Sequence, residues 1–392
     1  MRNEPKQILQ LDGYQVRALE TDQIKQTGLE GLPYFLLGLF GEVGTLLSAL
    51  KKRQRDSESY IGYSEAVVEE FGDVLWYFTN IATRASIKLS TLAEKTFRDL
   101  KTWDKKKVSL GTFQGIQTKK IGKAGTCDST GDFEAALISL AGKVGLLLHD
   151  LDLEKFAKNR YALSAHLVEI FRALIEAANI ADVNLEAAAL SNLAKTNSRW
   201  PKFKRYAPLF DESYPIEEQF PRRLAFHLIE HPKSKKVIMK LNGVIIGNPL
   251  TDNRMMHDDY RFHDVFHFAY MAILGWSPTI RALLKVKRKT NPQVDDAEDG
   301  FRAILIEEGI STLIFQRAAR LDCFKSIDSL DYPLLKLIPE FVHGYEVEKC
   351  PLWQWEKAIL DGFTVFRKLT LHRRGIVIAD LKKRSISFKE LP

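Results

Sequence analysis

Three acidic residues interrupt apolar stretches in the N-terminal part of the chain. Glu42 lies in LFGEVGTLL, and Glu70 and Asp73 lie three residues apart in VVEEFGDVLWYF. Residues three apart on a helix share a face, so Glu70 and Asp73 would project together. Carboxylates from two helices, together with phosphate oxygens, are ligands that Mg²⁺ prefers. The pattern favours a Mg²⁺ site, with Mn²⁺ as the alternative ion, and a solvated helix face is the other explanation of the two acids on one helix.

A second group of candidate residues lies in the C-terminal third. His263 and His267 are four residues apart in HDDYRFHDVFH, Asp264 follows His263, and Glu308 lies in the apolar stretch AILIEEGIS. Two histidines one turn apart and a distant glutamate can bind a transition metal, although the glutamate of an HExxH motif is missing. A structural hydrogen-bond network explains the same residues, because a buried acid needs a partner. We favour the network and leave a transition metal open.

Apolar residues at helical spacing predict the helices that must carry these side chains. In the N-terminal half of the chain they recur over 31–52, 63–86, 89–103, 133–151, 161–182 and 185–199. The intervening stretch 104–132 contains several glycines and little periodicity, which predicts a flexible connector. After the proline-containing stretch 201–221, RRLAFHLIEH, KKVIMKLN and GVIIGN predict three short strands with a turn at Asn242-Gly243. From about residue 258 the chain is predicted to be helical again, over 260–275, 277–287, 299–321, 333–344 and 351–371.

The two helical halves resemble each other in sequence. LFGEVGTLLSAL at 39–50 matches LAGKVGLLLHDL at 140–151, and the segment 67–89 matches 166–185. Duplicated helical units of this size predict an intrachain pseudo-dimer.

The acids of the first half are largely replaced in the second. Lys143 stands at the position of Glu42 and Arg172 at that of Asp73, while Glu169 is the counterpart of Glu70. We therefore expect metal-binding acids in the first half alone.

The motifs GEVG and EEFGDVLWYFTNIA resemble those of the MazG-type all-α nucleoside triphosphate pyrophosphohydrolases, in which ExxE on one helix and ExxD on the next hold Mg²⁺ over the phosphates. The resemblance implies that Glu42, Glu70 and Asp73 are the metal ligands and the catalytic residues. Thr45 stands where the fourth acid of that pattern is expected. This departure bears on the number of ions bound and on their affinity.

The end of the second half, SNLAKTNSRW, resembles the NxxKxxxRW tail of MazG-like proteins. The resemblance implies that Asn192, Lys195 and Arg199 bind the substrate, and Asn80, about two turns beyond Asp73, is a further candidate. Surface cations are the alternative explanation of the lysine and the arginine. One half would then supply acids and the other cations, giving one composite site per chain.

The predicted fold class is mainly α. A tandem MazG-like helical bundle is followed by a mostly helical C-terminal domain with a small antiparallel β-meander, similar to the domain found after some MazG modules. The predicted boundaries are 1–103 for the first repeat, 104–132 for the connector, 133–200 for the degenerate second repeat and 210–384 for the C-terminal His/Glu-containing α+β domain.

The predicted function is Mg²⁺-dependent hydrolysis of NTP or dNTP to the monophosphate and pyrophosphate, in nucleotide-pool control or antiviral defence. The alternative is a nucleotide-binding sensor or scaffold that does not hydrolyse, with the C-terminal domain as its effector.

The composition argues against several other classes of protein, namely nucleic-acid-binding, secreted and membrane proteins. The chain carries 57 basic and 50 acidic residues, but no nucleic-acid recognition motif accompanies the excess, so a nucleic-acid partner is not expected. Three widely spaced cysteines and an N-terminus without an apolar signal region predict a cytoplasmic protein with no membrane partner. A homo-oligomer is left open.

Overall fold

The computed structural model describes residues 8–97, 110–117 and 130–391. The chain divides into two compact units, Met1–Phe203 and Lys204–Pro392. Most of the predicted connector 104–132 lies outside the described residues, and residues 113–116 of it form a short helix.

The N-terminal unit is built from helices. Its α-helices are α1 (Leu11–Leu19), α2 (Leu32–Asp56), α3 (Tyr63–Arg84), α4 (Leu89–Phe97), α5 (Phe113–Ile116), α6 (Thr130–His149), α7 (Leu153–Lys158), α8 (Arg160–Ile180) and α9 (Leu185–Arg199). The long helices follow the predicted apolar periodicity, whereas α1, α5 and α7 were not predicted. These three are short, so each offers too few turns for a clear period.

Helices from the two sequence halves pack across each other. Helix α2 packs against α3 and α6 against α8, while α3 also packs against α9 and α4 against α8. Phe78 of α3 stacks on Phe171 of α8 with ring centroids 5.1 Å apart, inside one continuous apolar core. Both halves therefore contribute to the surroundings of α3.

The crossing of α3 and α9 is close because a glycine lies at the contact. A Cβ atom on Gly72 would lie 2.8 Å from the backbone oxygen of Ala188 and 3.0 Å from Cβ of Asn192. Any larger residue would push the helices apart. Because Gly72 directly precedes Asp73, this approach sets the distance from Asp73 to α9.

Helix α2 combines a buried face with an unusually apolar outer one. The helical stretch Gly28–Ser59 is long and apolar enough, by length and composition, to cross a membrane. Leu36, Val43 and Leu46 on its inner face belong to the core of the unit. The absence of a membrane partner stays a prediction.

The C-terminal unit contains an antiparallel sheet of five strands in the order β3-β2-β1-β4-β5. The strands are β1 (Arg223–Glu230), β2 (Val237–Leu241), β3 (Val244–Ile245), β4 (Arg374–Asp380) and β5 (Ser385–Lys389). The first three form the predicted meander, with positive φ at both Asn242 and Gly243. The hairpin of β4 and β5 was missed, and β4 adds to the free edge of β1.

Helices cover the rest of this unit, as predicted. They are α10 (Asp264–Ala269), which continues into a π-helical turn (Tyr270–Leu274), α11 (Pro278–Leu284), α12 (Pro292–Ala297), α13 (Phe301–Ala318), α14 (Tyr332–Phe341) and α15 (Leu352–His372). Helix α10 packs against both α15 and α13. The contact with α13 brings the predicted histidines and glutamate to one place. The prediction of a mainly α chain with a small antiparallel sheet is thus confirmed.

Candidate functional site

The three acids of the first half lie together between α2 and α3. Glu42 comes from α2, and Glu70 and Asp73 come from adjacent turns of α3. One carboxylate oxygen from each lies within 4.8 Å of the other two. All three side chains are half-buried at the edge of the apolar core. Their oxygens form a hard donor set of the kind that suits Mg²⁺ or Mn²⁺.

The electrostatics of this cluster favour a cation. Burial, followed by the charges of Glu42 and Asp73, raises the pKa of Glu70 to about 8. Burial and the charge of Asp73 likewise raise the pKa of Glu42. Oε2 of Glu70 is buried and has no hydrogen-bond donor among the described residues. Burial and mutual repulsion thus disfavour three negative charges at this place, so the residues present fit a divalent metal that would offset them.

Asp73 is held by two side chains from α9. Lys195 Nζ lies 2.5 Å from its carboxylate, and Asn192 Nδ2 donates to Oδ1 at 2.5 Å. The pKa of Asp73 is nevertheless raised, because burial outweighs the charge of Lys195. The structure therefore brings together acids from the first half and polar groups from the second.

Glu69 belongs to this group although sequence reasoning missed it. Its Oε1 lies 3.3 Å from Lys195 Nζ. The sequence spacing indicates this position, since Glu69 precedes Asp73 by four residues and so shares its helical face.

Two tyrosines beside the acids were also missed. Tyr14 of α1 is fully buried, and its hydroxyl has no hydrogen-bond partner among the described residues. Burial and the charge of Asp73 raise its pKa. Tyr77 covers Gly38 of α2, and burial, then Tyr34 and the acids, raise its pKa. Two tyrosine side chains, each with a phenol hydroxyl, thus lie beside the acid cluster.

Three further positions from the sequence analysis have contacts of their own. Asn80 is 1% exposed and donates from Nδ2 to the Trp76 carbonyl at 3.0 Å. The Arg199 guanidinium lies over the ring of Trp200, 4.3 Å from its centroid. Thr45 is exposed, and its hydroxyl donates to the carbonyl of Gly41 at 3.2 Å. The threonine hydroxyl is therefore engaged with its own helix.

The corresponding residues of the second half form an ion cluster of their own. Lys143 Nζ lies 3.0 Å from Glu169 Oε2, and Arg172 Nη1 lies 2.5 Å from Oε1 of the same carboxylate. The hydrogen bond from Lys143 and the charge of Arg172 lower the pKa of Glu169. Three acids lie together in the first half. In the second half Lys143 and Arg172 neutralise the charge of Glu169.

The predicted C-terminal residues also come together. His263 and His267 at the start of α10 and Glu308 on α13 each offer one ligand atom within 4.8 Å of the others. Asp264 Oδ1 lies 3.4 Å from His263 Nε2. Glu307, which was not among the predicted site residues, lies 2.9 Å from His267 Nδ1. Burial opposes charge on the imidazole, but Glu307 and Glu308 outweigh it and hold the pKa of His267 well above its ordinary value.

Comparisons with known proteins identify the relatives of the chain. Residues 205–392 match the MazG C-terminal domain family. The chain is 31% identical over 100 residues to the gene 37 protein of Mycobacterium phage L5, an alignment that covers 24% of this chain and 88% of the relative. No solved structure matches the chain. The chain therefore belongs to the family of the phage gene 37 protein and is MazG-related, with a MazG C-terminal domain over residues 205–392.

Proposed function

We propose that the N-terminal unit is a Mg²⁺-dependent pyrophosphohydrolase that converts an NTP or dNTP to the monophosphate and pyrophosphate. One observation carries the proposal. Glu42, Glu70 and Asp73 form a half-buried cluster whose pKa values are raised, with a buried oxygen of Glu70 that has no donor among the described residues. A cluster in which burial and repulsion disfavour ionisation is suited to a metal ion and, through the ion, to an anionic substrate.

In this proposal some residues bind the metal, and others orient a ligand or neutralise charge. Glu42, Glu70 and Asp73 would hold Mg²⁺. When bound, the ion would neutralise the carboxylates and phosphate oxygens and polarise the phosphoryl group. Asn192 and Lys195 orient Asp73, and Lys195 would also neutralise charge that develops on the phosphates. Water would attack the α-phosphorus and lose its proton to a carboxylate, while the bond to the bridging oxygen of pyrophosphate breaks.

We further propose that the two halves form an intrachain pseudo-dimer with one composite site. The packing of α3 on α9 and of α8 on α4 supports this, because the helices correspond in the aligned halves. In the second half Lys143 and Arg172 would take the place of the metal beside Glu169. The composite site then needs acids from α2 and α3 and the amine from α9.

The test is a panel of NTPs and dNTPs with Mg²⁺, scored by pyrophosphate release. Glu70→Gln keeps the shape of the side chain but removes an anionic ligand, so we expect release to fall by at least 100-fold. Glu169→Gln makes the same change at the aligned position of the other half and should leave the rate within a few-fold. Equal effects of the two substitutions would contradict the assignment.

A nucleotide sensor that does not hydrolyse is the second candidate. The salt bridge from Lys195 already occupies Asp73, and Thr45 supplies no carboxylate at the fourth position. Nucleotide binding measured by calorimetry, without pyrophosphate release for any member of the panel, would favour this function over hydrolysis.

A further inference from the structure

The two histidines of α10 direct the same ring atom toward one place. His267 Nε2 lies 3.3 Å from Glu308 Oε1, and His263 Nε2 lies 3.9 Å from Glu308 Oε2. The Glu308 carboxylate therefore spans both imidazoles. The rings are close to perpendicular, with centroids 5.6 Å apart, so their Nε2 atoms approach from different directions.

An oxygen atom lies beside the opposite nitrogen of each ring. His263 Nδ1 lies 2.8 Å from the carbonyl oxygen of Tyr260, and His267 Nδ1 lies 2.9 Å from Oε1 of Glu307. A ring that donates from Nδ1 to a carbonyl or carboxylate presents Nε2 as a lone pair when neutral. Metal-binding histidines show this arrangement, because the outer acceptor fixes the tautomer and the orientation of the ring.

The outer acceptor on His267 is itself positioned. Glu307 is fully buried, and it accepts from the Ser277 hydroxyl at 2.6 Å and from the backbone N–H of Thr279 at 2.9 Å. Two fixed donors thus hold this acid beside the imidazole without Glu308. A purely structural role for His267 needs Glu307 alone and leaves the convergence of His263 and Glu308 unexplained.

The place where these atoms converge has access to solvent. His267 is fully buried, but the Glu308 side chain is 36% exposed. Two imidazole nitrogens and one carboxylate suit Zn²⁺, Fe²⁺ or Co²⁺ better than Mg²⁺, which prefers an all-oxygen shell. An accessible side leaves room for a further ligand or water.

We propose that His263 Nε2, His267 Nε2 and Glu308 bind one divalent transition-metal ion, such as Zn²⁺, with Asp264 as an adjacent carboxylate. Tyr260 and Glu307 are the outer groups that orient the two rings. The site lies wholly within the C-terminal unit and does not depend on the function proposed for the N-terminal unit.

The experiment uses the full chain, stripped with a chelator and titrated with Co²⁺ at pH 8 in excess Mg²⁺. The Mg²⁺ competes for the all-carboxylate cluster of the N-terminal unit. We expect visible absorption bands that saturate at one Co²⁺ per chain and disappear when Zn²⁺ is added. Elemental analysis after dialysis gives the stoichiometry independently.

The variants test the ligands one at a time. Glu308→Gln and His263→Ala should each weaken Co²⁺ binding by at least tenfold, while circular dichroism confirms that the chain is folded. His343→Ala is the matched control, since His343 also pairs with a carboxylate, Glu348, but is exposed. Glu70→Gln should likewise keep the bands. The absence of stoichiometric Co²⁺ or Zn²⁺ binding by the unsubstituted chain, or binding unchanged by Glu308→Gln, would overturn the proposal.

Discussion

Lys195 Nζ lies 2.5 Å from both carboxylate oxygens of Asp73, although the two residues are 122 positions apart in the chain. This ion pair joins α3, which carries Glu70 and Asp73, to α9 of the second half. It places a positive charge at the edge of a cluster that otherwise gathers negative charge.

Lys195→Ala should lower the rate of pyrophosphate release on the order of 100-fold, because a charge-stabilising donor is lost from the site. Removing the amine also removes a charge that lowers the pKa of Asp73, so the site should need a higher pH to ionise fully. The pH–rate profile measures this shift. Lys202→Ala, which removes an exposed lysine paired with Glu20, is the control. A normal rate and an unshifted profile would rule out a role for Lys195.

The raised pKa of Glu70 makes the stability of the metal-free chain depend on pH. The folded chain holds the Glu70 proton up to about pH 8, whereas the unfolded chain releases it near 4.5. Between these values the folded state binds more protons, so stability falls as pH rises through this window. Without metal at pH 8, we therefore expect Glu70→Gln to melt at a higher temperature than the parent.

Added Mg²⁺ should reverse that order, because the ion binds the ionised folded site. Melting curves at pH 5 and pH 8, with and without Mg²⁺, make the comparison. An equal rise in melting temperature with Mg²⁺ in parent and variant would place the ion elsewhere.

Gly72→Ala should separate α3 from α9, because its Cβ would lie 2.8 Å from the Ala188 carbonyl oxygen. We expect a loss of about 1–3 kcal/mol in the free energy of unfolding, typical of overpacking. Pyrophosphate release should fall as well, since Asp73 moves relative to Lys195. Gly142→Ala on α6, where a Cβ would meet no atom within 4 Å, should instead stabilise the chain by about 0.5–1 kcal/mol. Denaturant unfolding of the two variants measures these opposite changes in the free energy of unfolding.

The ion cluster of the second half can be converted into acids. In the double variant Lys143→Glu/Arg172→Asp, Glu169 would stand among three carboxylates, as Glu70 does in the first half. We expect this chain to bind additional Mn²⁺, counted as the loss of free-ion signal in electron paramagnetic resonance. The same count as the parent would show that the aligned positions differ in more than charge.

The long helices and the candidate acids could be predicted because both depend on local spacing. Periodic apolar residues define α2, α3 and α8, and the acids interrupt that period. The hairpin of β4 and β5 was missed because each strand is short and the partner of β4 is β1, about 150 residues earlier in the chain. Local patterns carry no signal for such pairing.

The surroundings of the site were less predictable than its acids. Tyr14 contributes through the packing of α1, a helix of nine residues that was not predicted. The contact of Glu69 with Lys195 depends on how closely α3 and α9 approach, which Gly72 determines. Glu307 is distinguished from Glu308 by its contacts with Ser277 and Thr279 at the start of α11. Tertiary packing decides each of these.

The crossed packing of α3 on α9 and of α4 on α8 constrains how this protein can change over generations. A substitution in one half meets partners encoded in the other, so the two segments cannot drift independently. Under the duplication proposed above, the acids need to persist in one copy alone, provided that the other copy supplies its lysine across the interface. Such mutual dependence resembles that of paralogous subunits, here enforced by covalent linkage.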